Sequence, residues 1–102
     1  MLIFVTPLIV HTKSTIIQFD PTKDAKNIDK HGVSLATAEG FEWEQAVTWP
    51  DRRRDYGEDR IAGLGYIGDR LFYVVFAARG EERRIISLRK ANQREVKRYA
   101  ET

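Results

Sequence analysis

Between Arg83 and Arg98 the chain concentrates positive charge: Arg83, Arg84, Arg89, Lys90, Arg94, Lys97 and Arg98 face a single acid, Glu95. A basic stripe of this kind gathers polyanions and suits phosphate contacts, so RNA, DNA or an acidic protein are the partners it fits. A solvated helix face is the plainer alternative. Groups that exchange a proton near neutrality are scarce. Only His11 and His31 are histidines, with an ordinary pKa of about 6.5. The absence of cysteine excludes a thiol nucleophile, Cys-ligated metal and disulfides. Two distant histidines and scattered acids show no metal-ligand spacing, and no phosphate-cradling glycine loop is visible.

The scaffold for these residues is small. A chain of 102 residues, 42% hydrophobic and 31% charged, is the size of one globular domain and lies outside the disordered regime. Its net charge of +2 hides an asymmetry: residues 1–50 carry −2 and residues 51–102 carry +4. The opening apolar run, MLIFVTPLIV, is shorter than the roughly 20 residues a membrane span needs and lacks a secretory pattern. Residues 1–15 are read as an extension, residues 16–102 as the single domain, and a cytoplasmic location is expected.

Ile16 to Phe19 predicts a short strand, and Asp20-Pro21 starts a helix that Gly32 stops. Ser34 caps a predicted second helix carrying Leu35, Ala38 and Phe41 at intervals of three. Residues 46–50 are extended and precede the polar stretch DRRRDYGED. A strand from Arg60 to Ile67, a Gly68-Asp69 turn, a doubly buried strand from Leu71 to Ala78 and a strand from Arg83 to Arg89 form a meander. Asn92 to Glu95 reads as a capping box, and Val96, Tyr99 and Ala100 as the apolar stripe of a last helix. The class is α+β: a strand, two helices, an antiparallel meander of three to four strands and a C-terminal helix. Helices on one face leave another open for a ligand.

In this order, DPTKDAKNIDKHGVS, YGEDR followed by Gly65, and RIISLRKANQREVKRY resemble the BrnT family of type II toxin/antitoxin ribonucleases, from about Ile17 to Ala100. The first motif falls on Asp20, Lys23, Asn27, Lys30, His31, Gly32 and Val33. The central one falls on Gly57, Glu58 and Arg60. The last falls on Arg84 to Ser87 and Arg89 to Ala91, with Glu95 and Tyr99 following. Phe19, Ala77 and Leu88 depart from the common pattern. The resemblance implies a RelE-like ribonuclease fold, cleavage of cellular RNA that arrests translation and growth, and neutralisation by a BrnA-type antitoxin. It further implies a two-toxin, two-antitoxin complex that meets operator DNA only through the antitoxin.

A ribonuclease without metal or cofactor needs a base for the ribose 2′-hydroxyl, positive charge on the phosphorane oxygens and a proton for the departing 5′-oxygen. Arginine suits the second task, being permanently charged and bidentate toward phosphate. Arg60, Arg84 and Arg89 are therefore expected on the scissile phosphate, converging on an open sheet face unless they pair with Glu58 or Glu95. Glu58 is either a base or the holder of Arg60. His31 is either a catalytic group or a helix-terminal residue bonded to the last carbonyls. Lys30, Arg83, Lys90, Arg94 and Lys97, with Arg98, are expected along the RNA backbone. Tyr56, Tyr66 and Tyr73 are candidates for stacking on bases or for the core. The competing function is a catalytically weak subunit of a complex that represses its own promoter.

Overall fold

The computed structural model describes residues 16–102; the expected extension, residues 1–15, lies outside the described residues. Five strands form one sheet, β1 (Ile16–Gln18), β2 (Val47–Pro50), β3 (Ile61–Ile67), β4 (Arg70–Arg79) and β5 (Glu82–Lys90), in the order β1-β5-β4-β3-β2. β1 runs parallel to β5 and every other pairing is antiparallel. Helices α1 (Pro21–His31) and α2 (Gln93–Ala100) complete an α+β architecture.

Local chemistry explains the element ends. The Asp20 carboxylate accepts from the Lys23 N–H, Pro21 opens α1, and the N–H of Gly32, at φ 72°, donates to the Ile28 carbonyl. Only a residue tolerant of the left-handed region closes a helix this way without strain. The predicted second helix is replaced by two 3₁₀ segments, Leu35–Gly40 and Trp43–Gln45. The reason was visible in the period: three residues per turn stacks Leu35, Ala38 and Phe41 on one line, and all three are buried. Phe41 then lies across Gly65, where an added Cβ would stand 2.5 Å from the ring.

β4, third of five strands, is buried on both faces as expected. One face carries the main core, Phe72, Val74, Phe76, Ile85 and Leu88 under the 3₁₀ segment with Leu35, Ala38 and Phe41. The other carries a smaller cluster, Leu64, Leu71 and Ala91, edged by Trp49, Tyr66, Tyr73 and Tyr99. α1 closes the free edge of β5. The buried Asn27 amide donates to the Leu88 carbonyl at 2.8 Å and accepts from the Leu88 N–H at 3.3 Å. It also donates to the Val33 carbonyl, so one side chain does the work of a sixth strand.

α2 starts with the expected capping box: Asn92 accepts from the Glu95 N–H and Glu95 from the Asn92 N–H. The expected stripe differs. Val96 is 43% exposed and Ala100 is exposed; Glu95 and Tyr99, one turn apart, form the inward line instead. Tyr99 meets Tyr66 edge-on and donates to the Gln45 carbonyl.

Candidate active site

Arg84 and Arg89 are five residues apart, an odd spacing that strict strand alternation would send to opposite faces. A β-bulge reconciles them. The register shifts at Val75/Phe76, Ile86 drops out of the pairing, and Arg84 sits opposite Ala77 while Arg89 sits opposite Tyr73. Ala77 and Tyr73 are four apart on β4 and therefore share a face. The same bulge keeps Ile85 and Leu88, also oddly spaced, together in the main core. Arg60, just before β3, joins the arginine face by alternation with Ala62 and Leu64.

At the centre lies Glu58. Its Oε2 accepts from Arg60 Nε at 3.2 Å and its Oε1 from Arg84 Nη2 at 2.6 Å, with Arg79 Nη2 at 3.9 Å. The Glu58 and Arg60 side chains are 24% and 19% exposed, so the pairing is screened less than a surface contact. The hydrogen bond from Arg60, helped by the charges of Arg84, Arg60 and Arg79 and opposed by burial, holds the Glu58 carboxyl below its usual range. Glu58 is thus ionised at neutrality, and three guanidiniums around one carboxylate leave a positive excess. Arg84 Nε is buried without an acceptor, so Glu58 does not satisfy the whole fork.

The loop before β3 aims Arg60. The Asp51 N–H donates to the Arg60 carbonyl, and the buried Asp51 carboxylate accepts two bonds of 2.7 Å from Arg53 and one of 3.4 Å from Tyr56. The Arg60 guanidinium lies 4.0 Å from the centre of the Tyr56 ring. Asp51, Tyr56, Glu58 and Arg60, with Pro50 and Ile61, line a cavity of about 650 Å³.

Arg89 belongs to a separate lock. It donates through both terminal nitrogens to Glu95, at 2.9 and 2.8 Å, and lies 4.3 Å over the Tyr73 ring. The Arg89 bond is also the first cause of the lowered Glu95 carboxyl. All three arginines therefore pair with a carboxylate, the alternative the sequence left open: Arg60 and Arg84 meet on Glu58, whereas Arg89 shares their face but is held by Glu95, the capping residue of α2. His31 lies elsewhere, at the end of α1, in a groove of about 210 Å³ with Lys23, Lys26, Lys30, Ile86 and Ser87. It makes no hydrogen bond among the described residues, and Gly32 serves the terminal carbonyl instead. Burial first, then the charges of Lys30 and Arg89, lower its pKa.

Arg83, expected along RNA, turns to the core face and packs 4.4 Å over Trp43. Its Arg84 neighbour takes the other side, as alternation requires. Lys30, Lys90, Arg94 and Lys97 are exposed. Of the three tyrosines, Tyr56 lies under Arg60, Tyr66 against Tyr99 and Tyr73 under Arg89. Sequence reasoning missed Arg79, Asp51, Arg53 and Trp49. Arg79 had a signal, since it lies two residues beyond Ala77 on the face that carries Arg84. Among the described residues, no three His, Asp or Glu side chains gather as a metal site, and no helix is long and apolar enough to cross a membrane.

Residues 19–95 match the family model of the ribonuclease toxin BrnT of type II toxin-antitoxin systems. The chain belongs to the BrnT family. Its α+β fold is similar to the crystal structure of the ribonuclease toxin BrnT of Brucella abortus, with 30% identity and a TM-score of 0.62. That match covers 78% of this chain and 99% of the Brucella one. No curated protein matches. The matched span contains Glu58, Arg60, Arg84 and Arg89, so the arginine face lies within the family's own region.

Proposed function

We propose that this chain is a metal-independent endoribonuclease whose scissile phosphate is held by Arg60 and Arg84. The observation that carries this reading is the shared carboxylate: Arg60 and Arg84 already converge on the two oxygens of one anion, Glu58. A phosphodiester likewise offers a pair of anionic oxygens, its two non-bridging ones, and guanidinium forks bind both anions bidentately. As the ribose 2′-hydroxyl attacks, charge builds on the phosphorane oxygens, where fixed guanidiniums stabilise it more than they stabilise the ground state. Glu58, ionised and beside the phosphate, accepts the 2′-hydroxyl proton as the 2′-oxygen bonds to phosphorus; the P–O5′ bond then breaks, leaving a 2′,3′-cyclic phosphate, and the departing 5′-oxygen takes its proton from solvent water. A carboxyl held this low is a weak base, so its contribution comes from position more than from basicity.

In this reading RNA cleavage in the cytoplasm arrests translation and growth. A BrnA-type antitoxin blocks it by covering the arginine face, in a complex of two toxins and two antitoxins that meets operator DNA through the antitoxin. Cleavage of RNA by the purified protein in EDTA is the test, beside Arg60→Ala and Arg84→Ala proteins checked for folding by circular dichroism. The wild type cleaves, and each variant loses about 10²–10³-fold in kcat, the size of a lost oxyanion-stabilising donor. Intact RNA throughout would favour the weak-subunit reading, in which the chain acts mainly through its antitoxin complex.

A further inference from the structure

We propose that the Trp49 indole is a stacking subsite for the base next to the scissile phosphate, with the Arg98 guanidinium closing over that base. The proposal names a part of the site described above and rests on its reading as an RNA site. Trp49 sits on β2, an edge strand, directly opposite Ala62. Arg60 and Ala62 are alternate residues of one extended segment, hence about 7 Å apart and on the same face. The indole therefore lies one short step from the guanidinium that Glu58 holds, on the same side of the sheet.

Three rings on this face carry guanidiniums, and they are not equivalent. Tyr56 lies under Arg60, which is bonded to Glu58, and Tyr73 lies under Arg89, which is bonded twice to Glu95. Burial is also the first cause of the raised Tyr73 pKa. Trp49 is partly exposed, and its cover is Arg98, an exposed side chain of α2 whose guanidinium stands 4.1 Å from the ring centre. Arg98 is in no ion pair among the described residues. Lifting it costs a cation–π contact and breaks no salt bridge, whereas lifting Arg89 breaks two charge-assisted bonds. Tyr73, 6.3 Å from the indole and tilted by 48°, backs Trp49 from the next strand but one.

Every base has a π-face, so a ring covered only by an exposed cation outside any ion pair accepts bases with little regard to sequence. The cation also meets the phosphate that follows. Arg98 thereby acts on a base and a backbone, not on the backbone alone.

The test uses a 2′-O-methyl oligoribonucleotide, which lacks the attacking hydroxyl, and reads tryptophan emission. Binding quenches the wild type and leaves Trp49→Phe, whose remaining indole, Trp43, packs partly buried against the main core, unchanged. With cleavable RNA, Trp49→Ala raises KM about tenfold with kcat nearly unchanged, and Arg98→Ala raises it less. An abasic site beside the scissile linkage raises KM in the wild type and adds nothing in Trp49→Ala. Equal quenching in wild type and Trp49→Phe overturns the proposal, as do abasic and Trp49→Ala effects that multiply. If Trp49→Ala does not fold, the quenching decides together with the abasic substrate in Trp49→Leu, which keeps apolar bulk but has no ring to stack on. Quenching without any cleavage would remove the nuclease reading and keep the subsite; cleavage without quenching would do the reverse.

Discussion

The arginine face and the α1 groove carry similar numbers of cations and hold them in opposite ways. On the sheet, Arg60 and Arg84 share Glu58, Arg89 is bonded to Glu95, and the guanidiniums of Arg60 and Arg89 rest on aromatic rings. In the groove, Lys23, Lys26 and Lys30 project from an exposed helix, and none of them is in an ion pair among the described residues. A guanidinium fixed by a carboxylate and a ring has already lost its rotamer freedom, so it meets a phosphate at little further entropic cost. A free lysine supplies long-range attraction that salt weakens and carries no geometry. On the proposed reading the first region acts on one phosphate and the second holds many weakly.

The largest expected effect separates two arginines of the first region. Arg84→Ala removes a guanidinium from the Glu58 centre and should lower kcat by about 10²–10³-fold with KM little changed. Arg89→Ala should cost far less kcat, because Arg89 answers to Glu95. Its main effect is on stability: Glu95 loses two bonds at the start of α2, a loss of about 1–3 kcal/mol that urea unfolding would show. Equal kcat losses in the two variants would place both arginines on one phosphate and erase the distinction.

That distinction was only half legible in the sequence. Strand limits, the hairpin turn at Gly68, the α1 caps and the Asn92–Glu95 box follow from local residue chemistry, and local chemistry is what a sequence displays. The bulge at Ile86 was not visible, since it depends on which register of β4 buries Ile85 and Leu88 together. Without it Arg84 and Arg89 appear to face opposite ways. The Glu58–Arg84 contact spans 26 residues and the Asn27–Leu88 contacts span 61. Both are products of sheet order, which no local spacing encodes. The 3₁₀ segments are the converse case, where a period of three in the sequence signals the tighter helix directly.

The next effect breaks the scaffold between the two regions. Asn27→Ala removes the amide that satisfies the backbone of Leu88 on β5 and the carbonyl of Val33. Buried groups left without partners cost about 1–3 kcal/mol each, so chemical denaturation should show a loss of 2 kcal/mol or more. Asn27→Asp keeps the acceptor and loses both donated bonds, and it should destabilise at least as much because it buries a charge. A loss below 0.5 kcal/mol for Asn27→Ala would show that β5 holds its edge without α1. Smaller again is the loss from replacing Lys23, Lys26 and Lys30 together by glutamine. KM for RNA should rise severalfold at low salt with kcat retained, and the slope of log K against log salt should fall by about 2, near the single-strand value of 0.7 per phosphate for three contacts. An unchanged slope would leave the groove as solvated charge.

His31 gives the smallest effect, confined to a pH window. Burial and the charges of Lys30 and Arg89 set its folded pKa below the unfolded value, which is about 6.5. Between the two values the unfolded chain binds more protons, so stability rises with pH across that window and is lost as pH falls through it. His31→Gln removes this slope near pH 6 and leaves stability at pH 8 almost unchanged. Glu58, Glu95 and Asp51, all held low by arginine bonds, stabilise above their unfolded pKa values and lose that contribution as pH falls through the lowered ones. The two slopes therefore separate: one near pH 6 belongs to the groove and disappears in His31→Gln, while one below pH 4.5 belongs to the arginine face and remains. If the Glu58 centre cleaves RNA and the groove only holds it, as proposed, cleavage in His31→Gln should stay within twofold at pH 7.5. A hundredfold loss in a folded His31→Gln protein would move the proton transfer from the sheet to the helix.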